Sequence, residues 1–233
     1  MDWLQAVDIY CERTSPAFWA EPVNALTNAA FLLAALWGAV AARRRGTVDV
    51  MTWVLIGMAG MIGIGSFLFH TFATRWSELA DTLPIWSFVA VFVLVAMRRI
   101  GGMSVAKVAR IAAFVLIGAV LTIVFLANGE GGDSGAVAPD PLNGSGQYAP
   151  ALLALIVFSG LTWWRAHPAA PWVLAATAVF LLSLTFRSLD RDICATLALG
   201  THFLWHLLNG LMVGLLLQML VRTGIPDPQQ PAR

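Results

Sequence analysis

Apolar positions in this chain fall into long, nearly unbroken runs, not into the narrow stripe that marks a helix with one face in water. A helix that crosses the hydrocarbon core of a bilayer needs about 20 such residues, because its backbone polar groups must be satisfied within the segment. Seven runs qualify, at 24–42, 50–72, 79–97, 105–127, 149–166, 172–187 and 197–221. The pattern predicts an all-α polytopic membrane protein with seven transmembrane helices. It divides into an N-terminal interfacial segment (1–23), the seven-helix domain (24–222) and a tail (223–233). In the first of these, Trp3, Val7, Tyr10 and Cys11 recur at helical spacing, which predicts a short helix lying in the membrane interface. Residues 128–147, rich in Gly, Pro and Asp, read as the longest loop.

Composition strengthens this picture. Of 233 residues, 59% are hydrophobic and 12% charged, where an average soluble domain carries about 25% charged residues. An ordinary soluble enzyme is excluded. Lys and Arg number 14 against 13 Asp and Glu, so no basic footprint for nucleic acid exists, and two cysteines are too few for a Cys-rich metal site. The start Met1-Asp2-Trp3 lacks the basic, then apolar, layout of a signal peptide, so it is expected to be retained. Ten of the 14 basic residues share one side if the N-terminus is outside, and the positive-inside rule therefore predicts N-out with a cytoplasmic C-terminus. The outer-side charges Arg75, Arg187, Asp190, Arg191 and Asp192 read as an interfacial salt-bridge network, with contact to a lipid head group as the alternative. His167, beside Pro168 in a cytoplasmic loop, reads as solvated.

Ionisable groups inside a span are costly and mark function. The second run carries Ser66 and His70, four residues apart on one face near its outer end. The last run carries His202 and His206 in its outer half, again one turn apart, and Asp81 enters the third run from the same side. The directions of travel place all five at one depth. Three neutral imidazoles with a vacant fourth position form a catalytic zinc sphere, which acidifies a water to a pKa of about 7. Asp81 is then the expected general base, and Ser66 the expected hydrogen-bond donor to an oxyanion or the water. The alternative is a seven-helix receptor or membrane-stress protein whose metal is structural; an open site beside a lipid-sized cavity separates the two. A retinal-type pump is discarded, because Lys107, the only lysine, sits at a helix end.

Four stretches resemble the alkaline ceramidase family, within a wider group of seven-helix membrane hydrolases that includes the adiponectin receptors and hemolysin III proteins. They are Cys11-Glu12 with Ala20-Glu21 and 24–28, then 63–70, then Asp81-Thr82-Leu83-Pro84-Ile85-Trp86, and finally 202–206. The resemblance implies a zinc-dependent amidase that splits ceramide into a fatty acid and a sphingoid base, with His70, His202 and His206 at the ligand positions and Ser66 and Asp81 at the catalytic ones. It also implies an outside N-terminus, a disulfide between Cys11 and Cys194, and a calcium site in the acidic N-terminal segment. Glu12 and Glu21 match that site, and Asp8 is its third candidate. The chain departs from the pattern there: the segment between the glutamates is two residues shorter, Thr14 replaces an asparagine, and Asp8 lies four residues before Glu12 instead of three. The Ala- and Arg-rich composition points to a bacterial inner membrane with the site on the periplasmic side. A substrate there is ceramide or another N-acyl lipid, with no nucleic acid and no protein partner inferred.

Overall fold

The computed structural model describes residues 2–46, 48–128, 140 and 142–223. Helices α1 (Pro22–Thr27) and α2 (Ala29–Arg45) run as one span interrupted at Asn28. They are followed by α3 (Val50–Phe72), α4 (Arg75–Arg99), α5 (Val105–Asn128), α6 (Ala149–Trp164), α7 (Ala170–Leu189) and α8 (His202–Thr223). Every predicted run contains a helix, the last of them from His202 onward. Among the described residues, six spans are long and apolar enough to cross a membrane: Pro22–Arg45, Val50–Phe72, Arg75–Arg99, Ser145–Trp164, Ala170–Leu189 and His202–Thr223. The chain is an all-α polytopic membrane protein. The tail at 224–233 and most of the loop at 128–147 lie outside the described residues.

Packing is organised around α8, which is the most enclosed span and lies against both α2 and α7. Close approach to α2 depends on Gly210: a Cβ there would stand 2.6 Å from that of Ala30, the small-residue contact by which membrane helices let their backbones meet. By contrast α5 packs on α4 at the edge, with Phe114, Val115 and Leu116 exposed. In a bilayer such side chains face lipid, so their exposure is no defect. At the end of the bundle away from the histidines, Asp49 caps α3 by accepting from Thr52 N (3.2 Å) and pairs with Arg99.

The N-terminal segment corrects the prediction. Residues 2–21 form no helix. They make a strap across the α3–α4 turn, with an antiparallel bridge between Ala6 and Thr74. Val7 N donates to Ala73 O (2.8 Å), while Arg75 N and Trp76 N donate to Gln5 O (3.1 Å) and Trp3 O (3.2 Å). These last two are among the N–H groups that the first turn of any helix leaves unsatisfied. The strap thus completes α4, whose start is also held by a reciprocal Thr74–Ser77 capping box. Local spacing suggested a helix, but these long-range partners outweigh it.

Candidate metal centre and active site

His70 lies in the last turn of α3, and His202 opens α8, with His206 one turn deeper. All three are buried, and one ligand nitrogen from each lies within 4.8 Å of the others. Their ring centres are 4.6 to 5.2 Å apart. The helix of His202 starts five residues later than its apolar run predicts. Asp190, fully buried beyond the end of α7, causes this: its carboxylate accepts from Thr201 N (2.7 Å) and His202 N (2.9 Å), capping α8 from a distance.

Each imidazole is held by a separate partner. Glu21 Oε2 accepts from His70 Nδ1 (2.6 Å), and its other oxygen takes Arg13 Nε (2.5 Å). A carboxylate can only accept, so the His70 Nδ1 carries the proton and Nε2 keeps its lone pair. Thr27 Oγ1 lies 3.0 Å from His206 Nδ1 and donates to Val23 O at 2.8 Å; with its proton so spent, the His206 Nδ1 is the donor. The Tyr10 ring stacks on His202 at 3.5 Å between centres. Burial raises the Tyr10 phenol above its ordinary pKa, so it stays protonated. What remains is diagnostic: His70 Nε2, His202 Nδ1 and His206 Nε2 are buried without any hydrogen-bond partner. Buried nitrogens of this kind normally find a partner, and three of them facing one point fit the donor set of a zinc ion.

Ser66 and Asp81 meet because α3 and α4 nearly touch. A Cβ on Gly65 would stand 2.0 Å from Ala80 O, so only glycine allows this approach. Ser66 is buried next to this contact with the α4 backbone that carries Asp81, and Asp81 Oδ1 is shielded from solvent and unpartnered. Beneath this group lies an apolar cavity of about 340 Å³. Its upper wall includes Ile62, Ile85, Phe31 and Asn209, which stand one helical turn deeper than Ser66, Asp81, Thr27 and His206 respectively. The cavity continues down α4 to Met97, roughly 24 Å of helix below Asp81 at 1.5 Å per residue.

The N-terminal acids do not converge. Among the described residues the histidine trio is the one group of three or more candidate ligands brought together, and Asp8, Glu12 and Glu21 form no such group. Glu12 instead caps α1, accepting from Val23 N (2.7 Å) and Asn24 N (2.8 Å). Burial raises its carboxyl above the usual range, and these two bonds only partly offset that. Burial would likewise raise Glu21, but the hydrogen bond of His70, helped by those of Asn24 and Arg13, holds it below the usual range. Asp8 is exposed. Cys11 and Cys194 do pair, with Cα atoms 5.3 Å apart, fastening the strap to the loop before α8.

The expected outer salt-bridge network also differs. Among the described residues only Arg75 of its members pairs, with Glu78 at 3.1 Å, whereas Arg187 and Asp190 are buried and make no ion pair there. Tyr10 is a neighbour of the histidines that the sequence left out, and Glu21, Asp190 and Arg187 are ones it assigned to a calcium site or to the membrane interface. The depth criterion that gathered the histidines applies equally to the charges at the ends of the neighbouring runs. His167 is half-buried, its Nδ1 accepting from Ala169 N at 3.1 Å.

No curated protein matches the chain. A family model described as Ceramidase matches residues 9–230, a range that takes in the strap from residue 9 onward, both disulfide cysteines, the three histidines and the Ser66–Asp81 pair. The chain belongs to the ceramidase family.

Proposed function

We propose that this protein is a zinc-dependent intramembrane amide hydrolase that cleaves ceramide or a related N-acyl lipid into a fatty acid and a sphingoid base or amine. His70, His202 and His206 are the metal ligands, and Ser66 and Asp81 the catalytic pair. One observation carries this reading: three buried, unpartnered imidazole nitrogens stand directly above an apolar cavity long enough for an acyl chain. A structural metal site in a receptor has no use for that cavity, nor for an aspartate oxygen left without a partner at its edge.

Zinc, which His70, His202 and His206 would hold, would supply Lewis-acid polarisation of an amide carbonyl and acidify water at neutral pH. The chain's own residues do the rest. The cavity binds the acyl chain and so delivers the amide to the level of Ser66 and Asp81. As water adds to the carbonyl carbon, the Ser66 hydroxyl donates to the oxygen that gains charge. Asp81 accepts the proton that the water loses and returns it to the nitrogen as the C–N bond breaks. The added oxygen stays with the fatty acid, and the amine leaves neutral. Glu21 and Thr27 hold His70 and His206 in the tautomer that keeps Nε2 unprotonated. With the N-terminus outside, as the basic residues favour, the reaction takes place near the periplasmic surface.

The test is fatty-acid release from ceramide by purified protein, with elemental analysis of bound metal. Wild type is expected to carry zinc and release fatty acid, His202→Ala to lose both, and Asp81→Asn to keep the metal and lose the release. Undiminished release by both variants would overturn the mechanism.

A further inference from the structure

The hydrolytic reading has no use for Arg187, yet Arg187 is built into the site. It stands in the last turn of α7 and is only 5% exposed. Its Nη1 donates to Asn143 O (2.5 Å) and Ser145 Oγ (3.1 Å), both neutral acceptors. Its guanidinium carbon lies 5.3 Å from the centre of the Tyr148 ring and 5.5 Å from that of Trp205, two residues that line the cavity. Among the described residues no carboxylate forms an ion pair with it, and Nε is buried without a partner.

Two of the nearby acids are turned elsewhere, and a third, Asp81, is close enough to feel the Arg187 charge but forms no ion pair with it among the described residues. Asp190, three residues on, spends its carboxylate on Cys11 N, Thr201 N and His202 N. Asp140 accepts from Leu142 N and Gly144 N. Arg13 shows how the same chain completes a buried guanidinium: it bonds the Glu21 carboxylate and the carbonyls of Ser15 and His70. A buried charge without a counter-charge is costly, and inside a membrane doubly so. At Arg187 the free edge, Nε with Nη2, is the pair of parallel N–H donors that grips a carboxylate or phosphate in bidentate fashion.

We propose that Arg187 is an anion-recognition residue of the substrate site, taking a carboxylate or phosphate borne on the amine half of the N-acyl lipid. The amine half follows from position. Arg187 sits at the histidine end of the bundle beside Trp205 and Tyr148, whereas the cavity that suits the acyl chain runs the other way. This inference rests on the hydrolytic reading and adds to it a preference for N-acyl lipids whose amine half carries an anion.

The experiment compares N-palmitoylglycine (carboxylate) and ceramide 1-phosphate (phosphate) with their neutral counterparts, N-palmitoylethanolamine and ceramide. Wild type, Arg187→Gln and Arg187→Lys are assayed with each, alongside thermal stabilisation by N-palmitoylglycine and by N-palmitoylethanolamine. Losing a charge-assisted hydrogen bond corresponds to about tenfold or more in binding. Wild type is therefore expected to favour one anionic lipid over its neutral counterpart by at least about tenfold in kcat/KM, mostly through KM. The pair that responds tells carboxylate from phosphate. Arg187→Gln should level the ratio, and Arg187→Lys, which keeps the charge without the planar fork, should fall between. No preference in wild type, a preference that survives Arg187→Gln, or an equal loss on charged and neutral lipids would each overturn the proposal. If Arg187→Gln does not fold, an unchanged ratio in folded Arg187→Lys overturns it. Turnover without charge preference sinks the anion site alone. Arg187-dependent stabilisation by N-palmitoylglycine without turnover of any lipid sinks the hydrolytic reading and leaves the anion site standing.

Discussion

The two flanks of the histidine cluster are built on opposite plans. On the strap side, Glu21 binds both Arg13 and His70, Glu12 caps α1, Thr27 holds His206, and Arg13 reaches the carbonyl of His70. On the α4 and α7 side, Asp81 Oδ1 and Arg187 Nε are buried with nothing to bond, and an apolar cavity opens below. A saturated flank fixes geometry, because every group has one place to be. An unsaturated flank holds polar groups in reserve for something that arrives. Both are needed: ligands that wander would not hold an ion, and a site with every donor spent would not bind a substrate.

The difference can be broken most forcefully at its two extremes. Asp81→Asn on the open flank is expected to lower kcat by about 10²- to 10⁴-fold with metal content intact. His206→Ala, at the boundary, should remove metal and activity together; metal analysis beside turnover tells the two apart. Next in size is the strap fastening. Replacing Cys11 and Cys194 by serine should cost about 2–4 kcal/mol, read as a lower midpoint of thermal unfolding in detergent.

A milder change sharpens the role of the saturated side. Glu21→Gln keeps an acceptor and loses the charge, and is expected to weaken metal affinity about 10- to 100-fold, measured by chelator competition. Its effect on stability has a sign that can be checked. Glu21 is held below the usual carboxylate range, so its contribution is complete above the unfolded value of about 4.3 and is lost as pH falls through the lower folded value. The gap in thermal midpoint between wild type and Glu21→Gln should therefore be full at neutral pH and close in acid. A gap that widens in acid would contradict this assignment. Arg75→Ala is the control with the smallest effect: its pair with Glu78 is exposed, and its loss should shift stability by under about 0.5 kcal/mol.

Much of this was legible in the sequence, for physical reasons. Polar groups in lipid are so costly that hydropathy alone placed the spans, and His70, His202, His206, Ser66 and Asp81 stood out against their apolar runs. The strap was not legible. Its residues follow a helical rhythm, but Tyr10 is claimed by His202 and Cys11 by Cys194, partners far along the chain. Nor does a sequence say how a carboxylate spends its oxygens. Glu12 and Glu21 carry hard ligands in the right place for calcium, and the fold assigns those ligands to a helix terminus and to an Arg–His pair. Asp190 and Arg187 were read as surface charges because they flank a loop, and the bundle closes over them.

The bond from Cys11 to Cys194, together with histidines drawn from α3 and α8, makes the proposed centre one assembled from both ends of the chain. During synthesis the early helices enter the bilayer with one histidine and no means of completing the trio. On the hydrolytic reading proposed above, competence awaits the arrival of α8, and a stalled or truncated nascent chain stays inert toward the lipids around it.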